Sequence, residues 1–317
     1  MVGVLTLLLA PALTLTACRL LTPSAGPLVR LTSFVPYGLA LYVVAFVILL
    51  IAALASKSTA ARWFLLLSMA GIVLQGWWLA PSYLGEKTPA TGPTIRVMTA
   101  NLLLGDADPN RVVTLAVHDN VNLLVLEEVT PEELSRMDAA GLGDAFPNRA
   151  GTPVDGANGT MVFSTGPISQ VQLLATGYAS YSMDVQLAGN DVHLLAVHLR
   201  PPIGDASLWR ADHAVLAAQA TPAANAATLV VGDFNSTMDH RPMRDLVARG
   251  YADAATAARS GLQPTWPSSG EVSWVGVHVP SMVALDHVLV HRAAVRRTET
   301  VQIEGTDHRA LLATLVL

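Results

Sequence analysis

Lysine is missing from this chain after Lys87, and cysteine is limited to Cys18. A lone cysteine excludes any disulfide framework within one chain. The absence of lysine, with the arginines scattered, argues against the basic face that duplex nucleic acid draws on. Charge of either sign is scarce, at 14% of residues against 52% hydrophobic, and the mean hydropathy is +0.44. Ordinary soluble domains carry about 25% charged residues, so part of this chain has another solvent.

The apolar excess is concentrated before Thr94. That stretch holds five of the 19 basic residues and one of the 24 acidic ones, Glu86. The remainder therefore carries 14 basic and 23 acidic residues, a net of −9. Of the 317 residues, an almost uncharged head precedes an acidic globular domain.

The head contains three apolar runs, at 1–21, 37–55 and 63–80. Each approaches the ~20 residues that cross a bilayer as a helix. Pro36 and Pro81 are plausible boundaries, and Trp63, Trp77 and Trp78 sit where interfacial aromatic belts occur. Residues 1–87 are therefore expected to form a membrane anchor of about three helices, and 88–93, with two prolines and a glycine, a linker. The first run lacks the positive n-region of a signal peptide. Its end, Leu15-Thr16-Ala17-Cys18, looks like a lipoprotein processing box, against the plainer reading of Cys18 as a buried thiol. Lys57 and Arg62 place the 56–62 loop in the cytoplasm by the positive-inside rule, and the domain outside.

From Thr94 onward the pattern is α/β. Ile95–Ala100 reads as a strand delivering Asn101, and Asp108-Pro109 as an N-cap and first helical residue. Val121–Leu126 is a second strand leading to Glu127-Glu128, and Thr130-Pro131-Glu132-Glu133 is a capping box. Residues 159–164 and 168–174 read as a strand pair around Thr165-Gly166-Pro167. Residues 181–187 and 191–199 form a hairpin across Gly189-Asn190, ending at His198. Residues 206–220 read as a helix, and Leu285–Val290 and Arg309–Val316 as late strands. The expectation is two mixed sheets packed face to face and covered by helices, a four-layer α/β sandwich.

The chemistry gathers at strand ends. Thr228–Val231 is a buried strand, and Gly232-Asp233-Phe234-Asn235-Ser236 follows it. Asp and Asn just past such a strand project into the crevice where α/β folds bind ligands. Each such residue alone is more often a turn former. In chain order, however, Asn101, Glu128, His198, Asp233 with Asn235, Asp286, and Asp307 with His308 form a series. That series resembles the endonuclease/exonuclease/phosphatase superfamily, and the resemblance covers Thr94 to the C-terminus. It implies metal-dependent hydrolysis of phosphate esters. Such chemistry needs charge neutralisation, an activated water and help for the leaving group.

Strand alternation leaves Glu127 and Glu128 as rival ligands. The superfamily's strand ends Leu-Gln-Glu-Val, here Leu126-Glu127-Glu128-Val129, so the resemblance assigns the metal to Glu128 and puts Glu127 at the Gln position. It implies that Asp307 and Asn101 support the metal and that His308 contacts the phosphate or acts as base. Asp286 then orients His308, and His198 stands near the leaving group. Asp233 activates water, while Asn235 and Asn101 donate to phosphate oxygens or hold Asp233. Mg²⁺ is the expected metal, with Mn²⁺ or Ca²⁺ as alternatives. Arg200, just past His198, is a candidate for holding an anionic substrate. His118, His193, His213, His240, His278 and His291 match no motif position, and strand alternation points His287 away from its neighbour Asp286. Trp266 and Trp274 lie in a loop, 264–280, that lines a lipid-facing pocket or caps the core.

A tethered acidic domain outside the cell meets lipids and cell-wall intermediates. Tether and domain together resemble the VanJ-like membrane branch of the superfamily, associated with glycopeptide-antibiotic resistance. The implied substrate is a membrane phospholipid or a polyprenyl pyrophosphate, with the bilayer as partner and nucleic acid disfavoured. The alternatives are a membrane-anchored extracellular nuclease and a non-catalytic binding module.

Overall fold

The computed structural model describes residues 2–55, 58–85, 90–222, 226–268, 273–274 and 277–317. Lys57, Glu86, Lys87, and Thr88 and Pro89 of the expected linker lie outside the described residues.

The head is helical: α1 Val2–Leu21, α2 Gly26–Thr32, a 3₁₀ turn Val35–Tyr37, α3 Gly38–Ala55 and α4 Thr59–Tyr83. Two helical segments, Val35–Ala55 and Thr59–Tyr83, are long and apolar enough to cross a membrane. α1 and α2 meet at a bend of 102° and count as a third span only as a broken pair. Pro27 at the start of α2 suits a helix N-terminus, where its missing N–H costs nothing. Cys18 is buried in α1.

The domain then runs β1 Thr94–Asn101, α5 Pro109–His118, β2 Leu123–Glu127, α6 Pro131–Ala139, α7 Leu142–Ala145, β3 Asn148–Thr152 and β4 Thr160–Ser164. It continues with β5 Ile168–Leu173, β6 Tyr181–Leu187, β7 Asn190–His198, α8 Ala206–Gln219, β8 Ala227–Asp233, α9 Arg241–Ala248, β9 Ala252–Asp253 and α10 Ala254–Ala257. Short β10 Ser273–Trp274 and β11 Val277–His278 precede β12 Asp286–His291, β13 Ala294–Gln302 and β14 Arg309–Val316.

Two six-stranded mixed sheets result, ordered β13-β14-β1-β2-β4-β3 and β5-β6-β7-β8-β12-β9. The central strands β1, β2, β7 and β8 are largely apolar on both faces, as burial on both sides demands. Ile95, Val97, Leu123 and Val125 of one sheet pack against Leu194, Ala196, Leu229 and Val288 of the other. The outer face of the first sheet, with Met98 and Leu124, packs on Val112, Ala116 and Met137 of α5 and α6. Val197, Val230 and Leu289 meet Leu216 and Leu246 of α8 and α9 on the outer face of the second. Each such buried aliphatic side chain contributes about 1.5–3 kcal/mol. The layers are helix, sheet, sheet, helix, as the sequence pattern predicts.

Three local readings are corrected. β4 and β5 do not pair; they belong to different sheets, and Thr165–Pro167 carries the chain across. Gly166 is required there, since a Cβ would sit 1.8 Å from the Gln186 carbonyl oxygen. The β6–β7 turn is Ala188-Gly189, both at positive φ (50° and 81°), one residue earlier than Gly189-Asn190. That is the backbone a two-residue hairpin favours. The edge strand β13 escapes the sequence reading because its charged face breaks the apolar run.

The head is docked on the domain, not merely tethered to it. Arg19 of α1 pairs with Asp239 while its guanidinium lies 4.4 Å over the Trp78 ring. Arg30 Nη1 donates to the Pro202 carbonyl at 2.8 Å, and Tyr37 Oη to that of Met282 at 2.8 Å. His240 Nε2 lies 2.9 Å from the Val29 carbonyl. At the end of α4, Gly261 N donates to the Ser82 carbonyl at 2.9 Å.

Candidate active site

The inter-sheet core turns polar at one end. Along β1 the inward positions run Ile95, Val97, then Thr99 and Asn101; along β2, Leu123, Val125, then Glu127. In the second sheet Leu194 and Ala196 lead to His198, Leu229 and Val231 to Asp233, and Val290 and Val288 to Asp286. Register sets His198 opposite Asp233 on one side and Asp286 opposite Asp233 on the other. The two-residue period of the strands therefore delivers three polar side chains to one spot.

Asp233 is the centre. It is 1% exposed, so its oxygens depend on protein donors. Asn235 N donates to Oδ1 at 2.7 Å, and Asn101 Nδ2 to Oδ2 at 3.2 Å. Burial, and then the nearby Asp286 carboxylate, push its carboxyl up to about 7, against the opposing pull of His308. Asn235 spends its amide on the Leu199 carbonyl at 2.8 Å as well as on Asp233, so it holds the Asp233 loop.

His308 faces Asp233 from the other sheet, with Nε2 3.9 Å from Oδ2. Its Nδ1 donates to Asp286 Oδ2 at 2.8 Å. Burial alone would lower the imidazole, but Asp286 and Asp233 overcome it and raise it to about 10. His308 is thus a cation at neutral pH. His198 differs: burial, then the charge of His308, lower it to about 3. It is a neutral imidazole whose Nε2 lies 3.8 Å from Asp233 Oδ2 and 3.9 Å from Glu128 Oε1.

Glu128 sits one residue past β2 in a left-handed conformation, φ 59°. For a residue with a Cβ that conformation costs about 1–2 kcal/mol. Asn101 Nδ2 (3.0 Å) and Leu104 N (2.8 Å) fix its two oxygens. Asp307 accepts from Trp266 Nε1 at 2.9 Å, which ties the loop tryptophan to this residue. The side chain of Trp274 lies outside the described residues. Arg200 is engaged elsewhere: its guanidinium grips Asp212 through two nitrogens, at 2.9 and 2.5 Å.

Among the described residues, one group of three ligating side chains lies within 4.8 Å of one another: Asp233, Asp286 and His308. Glu128 and Asp307 are not in it. The buried Oδ1 of Asp286 has no hydrogen-bond partner. With Glu128, Asp307 and the amides, the donor set is oxygen-rich and free of thiol, which suits a hard divalent cation.

Sequence reasoning passed over several supporting residues. Thr265 Oγ1 accepts from Asp286 N at 3.2 Å. Tyr178 lies against the His198 ring, centroids 4.6 Å apart, with no signal in the sequence to mark it. Glu127 is wholly buried, accepts from Thr99 Oγ1 at 3.0 Å, and lies beneath Gly232. Burial, then Asp286 and Asp233, hold its carboxyl well above the usual range. That favours the neutral acid, the form closest in charge to the Gln of the resembling pattern. His287, one residue past Asp286, points away to Asp253 at 3.1 Å.

A family model described as "Endonuclease/Exonuclease/phosphatase family" matches residues 98–308. No curated protein matches the chain. Among solved structures, an endonuclease/exonuclease/phosphatase from Beutenbergia cavernae is 18% identical with a TM-score of 0.57, covering 71% of this chain and 72% of that one. TDP2 of D. rerio, solved with a single-strand DNA product, is 11% identical at TM-score 0.58, covering 71% and 99%. Truncated Caenorhabditis elegans TDP2 is 18% identical at 0.54, covering 71% and 98%. These likenesses show the fold, and the family match covers most of the chain. The chain belongs to the endonuclease/exonuclease/phosphatase family, whose members are metal-dependent hydrolases of phosphate esters.

Proposed function

We propose that this protein is a membrane-anchored phosphoesterase that hydrolyses a phosphate ester or pyrophosphate of a membrane lipid or cell-wall lipid carrier, with the domain outside the cell. The observation that carries this reading is where the head is docked. The loops that follow the site's strands, β7 into Pro202 and β8 into His240, are the ones that α2 grips through Arg30 and Val29. The loop before β12 meets Tyr37 through Met282. A site framed by loops that touch membrane helices takes its substrate from the bilayer side. The lack of lysine after Lys87 points the same way, against a nucleic-acid backbone. The layout fits the VanJ-like branch and its link to glycopeptide resistance.

In this reading Glu128, Asp307 and Asn101 hold Mg²⁺, or Mn²⁺ or Ca²⁺ in its place. When bound, the cation neutralises charge on the phosphate oxygens. The rest falls to side chains. Asp233, held by Asn235 and Asn101 and titrating near neutral pH, takes a proton from the attacking water. His308, cationic and oriented by Asp286, donates to a phosphate oxygen as negative charge develops. Of the two roles expected for His308, the positive charge favoured by Asp286 and Asp233 supports contact with the phosphate. His198, neutral, flanks Asp233 and Glu128 on the side opposite His308.

The test is phosphate release by detergent-purified protein with Mg²⁺, offered phosphatidate, polyprenyl pyrophosphate and plasmid DNA in parallel. Lipid turnover that chelation abolishes supports the reading. DNA cleavage far faster than any lipid reaction would overturn it in favour of a membrane-anchored nuclease.

A further inference from the structure

Exposed apolar side chains collect where the head meets the domain. Ile203, in the loop between β7 and α8, is 69% exposed, and Leu208, in the first turn of α8, is 46% exposed. Leu21 at the end of α1 and Leu28 on α2 are exposed as well. A single exposed leucine is ordinary. Several on adjoining segments form a patch, and a patch marks a contact surface.

The segments adjoin because the β7–α8 loop lies against α2. A Cβ on Gly26 would stand 3.6 Å from the carbonyl oxygens of both Pro202 and Gly204, the residues on either side of Ile203. Val29 of α2 packs with Ala206 and Trp209, which flank Leu208 in sequence. Arg210 Nη1 donates to the Ser24 carbonyl at 2.8 Å. The loop is braced from the site side too, since Trp209 Nε1 donates to the Asn235 carbonyl at 3.1 Å.

Helix geometry sets the level of this patch. The 20 residues of α1 rise about 30 Å, the thickness of a hydrocarbon core. α2 is bent away from α1 by 102°. With α1 along the membrane normal, α2 lies along the membrane surface, between the end of α1 and the start of α3. Ile203 sits beside α2 at that level. Charge agrees with this placement. Arg30 and Arg210 each donate to a carbonyl oxygen rather than a carboxylate, so their charge remains available to lipid phosphates. Asp205, in the same loop, is turned into α8, where it accepts from Ser207 N at 2.8 Å.

We infer that the β7–α8 loop is a membrane-seated lip, with Ile203 and Leu208 lying beside Leu21 and Leu28 in the headgroup region of a phospholipid bilayer. The inference rests on the proposed membrane setting of the head and adds to it a contact made by the catalytic domain itself. Ile203 is separated from His198 by no more than about 18 Å of chain. The bilayer surface therefore reaches the edge of the site.

A nitrobenzoxadiazole probe is placed on Ile203→Cys, on Val44→Cys in α3 and on Val117→Cys at the end of α5, each in the full chain with Cys18→Ala. All three labelled positions are exposed, so melting in detergent like that of the wild type is expected. Leu208→Cys replaces Ile203→Cys if the latter melts early. The proteins are reconstituted in vesicles of dioleoylphosphatidylcholine and dioleoylphosphatidylglycerol, and quenching by nitroxide-bearing lipids is read. The Ile203→Cys probe is expected to be quenched several-fold more than the Val117→Cys probe, at a depth of about 5–10 Å into the headgroup boundary. The Val44→Cys probe lies deeper. Quenching of Ile203→Cys no greater than that of Val117→Cys, with Val44→Cys quenched, overturns the lip and leaves the anchor standing. Shielding of Ile203→Cys from iodide without lipid quenching also overturns it, in favour of a second copy of the chain covering the patch. Absence of quenching at Val44→Cys overturns the membrane setting of the head, and the inference with it.

Discussion

His308 and Asp286 form a hydrogen-bonded pair between the two sheets, Nδ1 to Oδ2 at 2.8 Å. The pair locks the head of β14 to the head of β12. It also ties stability to pH. The folded imidazole titrates at about 10, against 6.5 in its ordinary state. A raised pKa gives stability that is fully present below the unfolded value and is lost as pH rises through the folded one. Metal-free protein is therefore expected to lose melting temperature between about pH 6.5 and 10. His308→Gln starts lower and is flatter over that window. Parallel melting curves for the two proteins would count against the pairing.

Glu127 lies buried beneath Gly232, its carboxyl held well above the usual range by burial and then by Asp286 and Asp233. Glu127→Gln keeps the shape and the hydrogen bond from Thr99. Turnover at neutral pH should match the wild type. The two proteins should melt alike below about pH 4.5, the ordinary glutamate value, and the glutamine variant should become the more stable as pH rises above it, because a raised carboxyl withdraws its stabilisation from the unfolded value upward. Glu127→Ala, by contrast, leaves a void and destabilises by about 2–5 kcal/mol, the range for large-to-alanine core changes. Thermal denaturation across pH distinguishes these outcomes.

Gly232 is the hinge of the Asp233 loop. Its φ is 140°, and a Cβ there would stand 1.9 Å from the Val197 carbonyl oxygen and 2.9 Å from Glu127 Oε1. Gly232→Ala must push β8 away from β7, displacing Asp233 from Asn101. Loss of both stability and turnover is expected, and a variant that melts and works like the wild type refutes the close approach.

Much of the site was legible because it obeys a simple period. Asn101, His198, Asp233 and Asp286 all continue the inward face of strands whose apolar alternation is visible in the sequence. What was not legible depends on contacts between distant segments. Arg200 looked free for an anion, but Asp212 on α8 claims it. The Thr165–Pro167 crossing between sheets reads like a hairpin because Gly and Pro mark any tight turn. Glu127 and Glu128 are separable in structure by the left-handed twist at Glu128, which no residue pattern announces. The docking of the head was invisible for the same reason: Arg19, Arg30 and Tyr37 meet partners about 170 to 245 residues away.

Glu128 carries the metal prediction. Its carboxylate is held by Asn101 and Leu104, ready to ligate without reorganisation. Glu128→Gln should raise the Mg²⁺ concentration for half-maximal thermal stabilisation by about 10–100-fold, the range seen when supporting groups of metal sites are lost. Stabilisation by Mg²⁺ that is the same in the variant would move the metal to the Asp233, Asp286 and His308 group.

The most direct test of the central claim is Mg²⁺-dependent phosphate release from a lipid phosphate by wild type and by Asp233→Ala. The account predicts release by the wild type, abolition by chelation, and a fall of roughly 10²–10⁴-fold in the variant, the usual worth of a positioned general base. Lipid turnover that survives Asp233→Ala unchanged would contradict it.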